Sequence, residues 1–279
     1  MDNNYFINKV LNNNIVLATN LKTKEDLILI SKGIGFGKKA NKLAYIDENK
    51  VDRSFVALDE KLQKDYFNIV KEIDMDLLAI CEKTILEAEK KFGKLSEKIH
   101  ILLVDHISFA IERVSKGHEI SNPFIDEIRI IYPNEFEIAK KAIHMIEEKF
   151  SINLGYSEVG FIAMHLHSAR SNKNVTETIK NTRILNEIVD MIEYELGIKL
   201  DRADYKYKRL VNHIQGAMDR VSKGKNIYNP ILTNIKKEFK DSFKLINKIK
   251  SKIEKEYDYQ FPGTYLVSMA IHIQRLKIS

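Results

Sequence analysis

The sequence predicts a multidomain chain: a small all-β domain followed by two homologous all-α helical bundles. Two observations carry this. Residues 5–57 contain four short runs rich in Ile, Val, Phe and Leu, each closed by Asn, Lys, Asp or Gly, the pattern of strands and tight turns. From Leu62 onward apolar residues recur at helical spacing, and a long stretch of that region is repeated 107 residues later in the chain. At roughly 150 residues per domain, 279 residues allow two domains, or three small ones. The expected boundaries are 1–58, 62–171 and 175–279, with the polar stretch SNKNVT as the joint between the bundles.

The strand runs are YFINKVL, NIVLATN, DLILIS and RSFVALD. Asn12-Asn13-Asn14 suits the turn between the first two, because Asn tolerates left-handed backbone and bonds its own main chain. About 55 residues of strand give a thin core, so the module is expected to dimerise. Its third strand runs into SKGIGFGKKANK. A phosphate-binding P-loop needs four residues between its first Gly and the Gly-Lys pair, and then Ser or Thr. Gly33 to Gly37 leaves three, and Lys39 stands at the hydroxyl position, which excludes that motif. The remaining combination, one aromatic (Phe36) among glycines and lysines, suits unpaired nucleic-acid bases and phosphates. Composition alone favours the plainer reading, a glycine hairpin with solvated lysines and Phe36 tucked into the sheet.

The helical repeat aligns without a gap. His106 pairs with His213, Arg113 with Arg220, Ser115-Lys116-Gly117 with Ser222-Lys223-Gly224, Asn122-Pro123 with Asn229-Pro230, Phe136 with Phe243, and His165 with His272. Helices are expected near 62–92, 97–117, 123–131, 134–150 and 157–170, and in the second copy near 177–196, 204–224, 230–238, 241–257 and 263–276. Gly117 and Gly224 stand where helices end. Asn122 and Asn229 read as N-caps with Pro at the first helical position.

Net charge is +6, which permits a polyanionic partner without demanding one. Residues 1–58 carry nine basic and six acidic side chains. No apolar run is long enough to cross a bilayer, the opening MDNNYFINKV lacks the plan of a signal peptide, and the single Cys81 fits a reducing compartment. A cytoplasmic location without membrane insertion is expected.

Of eight histidines, only His106, His165, His213 and His272 recur at the repeat offset. A metal site would add Asp105 and Glu158 in the first copy, but Asn212 and Tyr265 replace them in the second, so such a site would not be duplicated. General acid–base catalysis lacks an accompanying nucleophile or cofactor loop. A phosphoryl acceptor remains: neutral imidazole is a competent nucleophile near pH 7, and modification adds about −1.5 to −2 charges. Arg113 and Arg220 lie seven residues after His106 and His213, two helical turns on, where they could support the modified state, as could Asp105. No catalytic residue, metal or cofactor is expected, and the chain reads as a regulator rather than an enzyme.

INKVLNNNIV with SKGIGFGKK, followed by DHISFA…GFIAMHLHSA and NHIQGA…AIHIQRL, resembles the BglG/SacY-type transcriptional antiterminators over the whole length. The resemblance implies an amino-terminal dimer that binds an RNA hairpin in a leader mRNA, followed by two PTS regulation domains. It places Lys9, Asn14, Lys32, Gly33, Phe36 and Lys38 at RNA-contacting or loop-shaping positions, with Lys32 and Ser31 where the family often has Arg and Gly. It implies phosphorylation of the four repeated histidines by the sugar phosphotransferase system, through HPr or a sugar-specific enzyme II. His106 and His165 are expected to inhibit when modified, and His213 and His272 to activate. The alternatives are a DNA-binding activator with the same regulatory domains, against which residues 1–58 offer no helix pair, and a histidine-based metal-dependent hydrolase.

Overall fold

The computed structural model describes residues 4–51, 53–56, 73–222, 238–257, 259 and 263–277. By packing, the chain divides into two compact units, Met1–His118 with His144–Leu154, and Glu119–Ile143 with Gly155–Ser279.

The first unit opens on a five-stranded antiparallel sheet: β1 (Tyr5–Asn12), β2 (Ile15–Asn20), β3 (Asp26–Ile30), β4 (Lys42–Ala44) and β5 (Arg53–Val56), in the order β4-β1-β2-β3-β5. Each of the four runs read from the sequence contains a strand, the last described only as far as Val56, and β4 is an addition. Tyr5, Ile7, Val16, Ala18, Leu29 and Ile46 form the sheet's own core, as alternation along β1 and β2 requires. Two register shifts interrupt the β1–β2 pairing, between Ile7 and Lys9 and between Val10 and Asn12. Such shifts bend and twist a strand. A polar cluster braces the outer end, where Asn8 Nδ2 donates to Thr19 and to Asp26.

Two helices of this unit, α1 (Met75–Phe92) and α2 (Ile99–Ser115), pack on each other. Asp74 caps α1 by accepting from the amides of Asp76 and Leu77, satisfying donors that have no partner inside the helix. The amphipathic spacing buries Leu77, Leu78, Cys81, Ile85 and Ala88 against Leu103, Val104 and Ile107 of α2. The expected helix at 62–92 is described only from its α1 portion onward, since 62–72 lie outside the described residues.

The next helices are α3 (Ile125–Ile131), α4 (Pro133–Phe150), α5 (Tyr156–Ser171), α6 (Val175–Leu196), α7 (Tyr205–Ser222), α8 (Lys240–Tyr257) and α9 (Gly263–Lys277). Within the second unit α3 packs on α5, α6 and α7, and α8 and α9 complete the layer over α6 and α7. Ile184, Leu185, Ile188, Tyr207, Val211, Ile214, Phe243, Ile246, Ile249 and Ile273 lie in one core. The joint is short: α5 ends on Asn172 in left-handed backbone, and Asn174 caps α6 by accepting from the Glu177 amide. Asn122 does not start a helix at Pro123. Its side chain accepts from the Phe124 amide, and α3 begins only at Ile125. The counterpart pair Asn229-Pro230, Gly224 and most of the 230–238 helix lie outside the described residues.

Gly160 on α5 is a close approach. A Cβ there would come within 2.7 Å of both Asn122 Nδ2 and Ile125 Cδ1. The repeat-equivalent residue is Val267. Gly160→Val is expected to destabilise the chain by ~1–3 kcal/mol through overpacking, read as a lower urea midpoint at unchanged slope.

A polar contact links the two repeats within this unit. The Tyr207 hydroxyl donates to the buried Glu127 carboxylate of α3, which also accepts from Asn186 Nδ2 at 3.2 Å. Arg202 lies over the Tyr207 ring at 4.4 Å and pairs with Glu193.

Candidate functional site

The glycine loop after β3 is held by the turn between β1 and β2. Asn14 Oδ1 accepts from the Gly33 amide at 2.8 Å, its carbonyl accepts from Ser31, and the Asn13 carbonyl accepts from Gly35. Asn14 therefore shapes the loop. Gly33 and Gly37 both take positive φ, +76° and +69°, a conformation side chains resist. Three successive i→i+3 bonds, onto the carbonyls of Ser31, Gly33 and Gly35, coil the segment so that Phe36 projects outward, 77% exposed. The composition-based placement of Phe36 inside the sheet is thus overturned: the tight turns leave its ring no path back to the core. Lys38 Nζ donates to the Tyr45 carbonyl at 3.3 Å, tying the loop to the end of β4, where Leu43 in the strand and Tyr45 just after it are also exposed. Lys9, Lys32, Lys39 and Lys42 are exposed as well. The result is a surface of lysines and protruding apolar rings on a fixed frame.

The repeated histidines sit on α2 (His106), α5 (His165), α7 (His213) and α9 (His272). His106 and His165 belong to different compact units; both are half-buried, whereas Asp105 is exposed. Arg113 Nε donates to the His118 carbonyl at 3.3 Å and its guanidinium lies 5.8 Å from the exposed Phe109 ring. In the second copy the two histidines are in contact. The rings of His213 and His272 lie 3.6 Å apart, centroid to centroid, tilted by 33°. Burial, with Arg209, Arg220 and Arg275 nearby, holds His213 below the ordinary imidazole range. Burial, His213, Arg209 and Arg275 push His272 down to about 4. Both shifts favour the neutral imidazole, whose unprotonated ring nitrogen carries a lone pair. Arg220, expected as a support, is one of three arginines here. Arg209 and Arg275 were not legible as site residues, since an arginine on a helix face usually reads as solvated.

Two unrepeated histidines are also held. His100 Nδ1 lies 2.9 Å from both oxygens of Glu82 in a buried pair. His167 Nδ1 lies 3.3 Å from Glu135, which Arg170 also contacts at 3.0 Å, and its ring stacks on Tyr132 at 3.9 Å. Burial works to raise the Glu135 pKa, but hydrogen bonds from His167, the backbone and Arg170 hold it below the usual range. The available signal was the acid itself: Glu82 and Glu135 occupy inward positions of otherwise apolar helix faces. Among the described residues no group of three or more His, Cys, Asp or Glu side chains is placed to hold a metal, and no described helix is long and apolar enough to cross a membrane.

Comparison with known proteins accords with this arrangement. Residues 5–64 match the model of the CAT RNA binding domain, and residues 80–169 and 186–276 each match that of the PRD domain. The PtsGHI operon antiterminator of Bacillus subtilis is 34% identical over 283 residues, covering 99% of this chain and 98% of the relative. Transcription antiterminator LicT of the same organism is 29% identical over 274 residues, 97% and 98% of the two chains. The crystal structure of GlcT CAT-PRDI, 41% identical, superposes with a TM-score of 0.53 over 60% of this chain and 99% of that one. With an RNA-binding sheet module ahead of two PRD repeats along its length, the chain belongs to the BglG/SacY-type family of transcriptional antiterminators.

Proposed function

We propose that this chain is an antiterminator that grips a hairpin of leader mRNA as a homodimer through its strand module and so prevents an alternative terminator from forming. The phosphotransferase system sets its activity by phosphorylating His106, His165, His213 and His272, with HPr or a sugar-specific enzyme II as donor. The observation that carries the RNA half is the exposed Phe36 on a loop framed by Asn14 and flanked by Lys32 and Lys38. An aromatic ring displayed beside lysines stacks an unpaired base while the ammonium groups neutralise phosphates. Gly33 gives the loop its turn, and Lys9 adds charge on β1.

The test uses the full chain and leader hairpins. Binding is expected to weaken steeply with salt, log affinity falling linearly with log salt concentration as counterions are released. Phe36→Ala should cost ~1–3 kcal/mol of binding, the range for one stacked base, with the circular dichroism spectrum unchanged. Full affinity in Phe36→Ala would remove the stacking role, and indifference to every hairpin offered would remove the RNA reading.

A further inference from the structure

The second repeat contains a cavity with a cationic lining that the matching positions of the first repeat do not carry. It measures ≈ 270 Å³ and is lined by Tyr205, Lys206, Arg209, Leu210, His272, Arg275 and Leu276. Three of these side chains are cations, and none is a carboxylate. One wall is the mostly buried His272, 8% exposed, whose ring lies against His213. The remaining lining, Leu210, Leu276 and the Tyr205 ring, is apolar.

The repeat offset isolates what is particular to this copy. Lys206, Arg209 and Arg275 correspond to Ile99, Leu102 and Ser168 in the first copy. Ile99 is buried in the core, and the Ser168 hydroxyl is committed to the Met164 carbonyl and to Thr178. Both copies carry the repeated histidines, and each carries its arginine, Arg113 or Arg220. The extra cations are therefore not required by whatever the two copies share. They converge on a cavity that a phosphoryl group alone would not fill.

We propose that this cavity is a binding site for a small phosphate monoester. Arg209 and Arg275 clasp the phosphoryl oxygens, as guanidinium forks do. Lys206 adds a point charge, and the carbon skeleton lies along Leu210, Leu276 and the Tyr205 ring. The ligand occupies the space in front of His272 and so competes with access to that imidazole. This site is independent of the acceptor role proposed above, because it requires only the unmodified protein.

The test is a titration of full-length, unphosphorylated protein with glycerol 3-phosphate, followed by the ring signals of His213 and His272 in heteronuclear NMR. Saturable shifts are expected, with the His272 titration midpoint moving upward because a bound phosphate anion favours the imidazolium form. Glycerol should produce none, and inorganic phosphate should bind at least tenfold more weakly than the ester. Arg275→Gln should weaken binding tenfold or more; Lys206→Gln, at an exposed position, provides the same readout if the arginine variant fails to fold. Absence of saturable shifts up to about 10 mM, tenfold above a millimolar dissociation constant, overturns the proposal. Unchanged affinity in both variants overturns the location, and equal binding of phosphate and ester overturns the role of the apolar wall. If the ester binds while His272 resists phosphorylation, the acceptor role fails and this site stands.

Discussion

The full-length variant with His106, His165, His213 and His272 all replaced by alanine is expected to take up no phosphoryl group from a reconstituted phosphotransferase system, a loss of essentially all labelling. The reason is chemical scarcity. Attack on phosphorus needs an unprotonated imidazole that a carrier can reach, and the second repeat presents two held below the ordinary imidazole range, His272 at about 4. Arg220, the cation with a counterpart in the first repeat, is expected to offset part of the about −1.5 to −2 charges that a phosphoryl group brings. Paired variants separate the two repeats. Removing His106 and His165 should give RNA binding that no longer responds to inhibitory modification, and removing His213 and His272 should abolish activation. Wild-type labelling in the quadruple variant would discard the acceptor assignment, with His100 and His167 the next positions to map by mass spectrometry.

A sequence displays those features that a period or a repeat imposes on it. Strands β1, β2, β3 and β5 were visible because alternating apolar residues have to fill a core. β4 was not, because Lys42 and Leu43 are exposed and three residues show no period. The repeat revealed the four histidines through spacing alone, but not that His213 and His272 come face to face, which depends on how α7 and α9 cross. Tyr207 shows the limit of reasoning by repeat. It replaces His100, and both bind a buried carboxylate, yet His100 takes Glu82 of its own repeat whereas Tyr207 takes Glu127 from the other. A matched position therefore preserved the need for a polar partner and not the partner's identity. Phe36 shows a different limit: composition cannot tell a ring turned inward from one turned out, because the hydrogen bonds made by Asn13 and Asn14 decide it.

Glu82→Ala is expected to be among the most destabilising single substitutions in the chain, at ~3–5 kcal/mol, the range for removing one member of a buried ionic pair. Glu82 is 4% exposed and faces His100 across 2.9 Å, so alanine leaves the imidazole polar, enclosed and short of its acceptor. The pair also makes stability depend on pH. Burial works against protonation of His100, but the hydrogen bond and charge of Glu82, with Glu89 and Glu97 beyond it, raise its pKa above 6.5. The folded state thus binds this proton more tightly than the unfolded chain, and by linkage its contribution is complete below pH 6.5 and fades as pH rises through the folded pKa. Wild-type melting temperature should accordingly fall across that window relative to Glu82→Gln, in which the carboxylate's charge is gone and the slope with it. Replacing both partners by leucine should restore most of the loss, because two apolar groups leave neither a charge nor an unpaired polar atom behind. Equal pH slopes in wild type and Glu82→Gln, or additive losses in the double-mutant cycle, would show that Glu82 and His100 do not act as a pair.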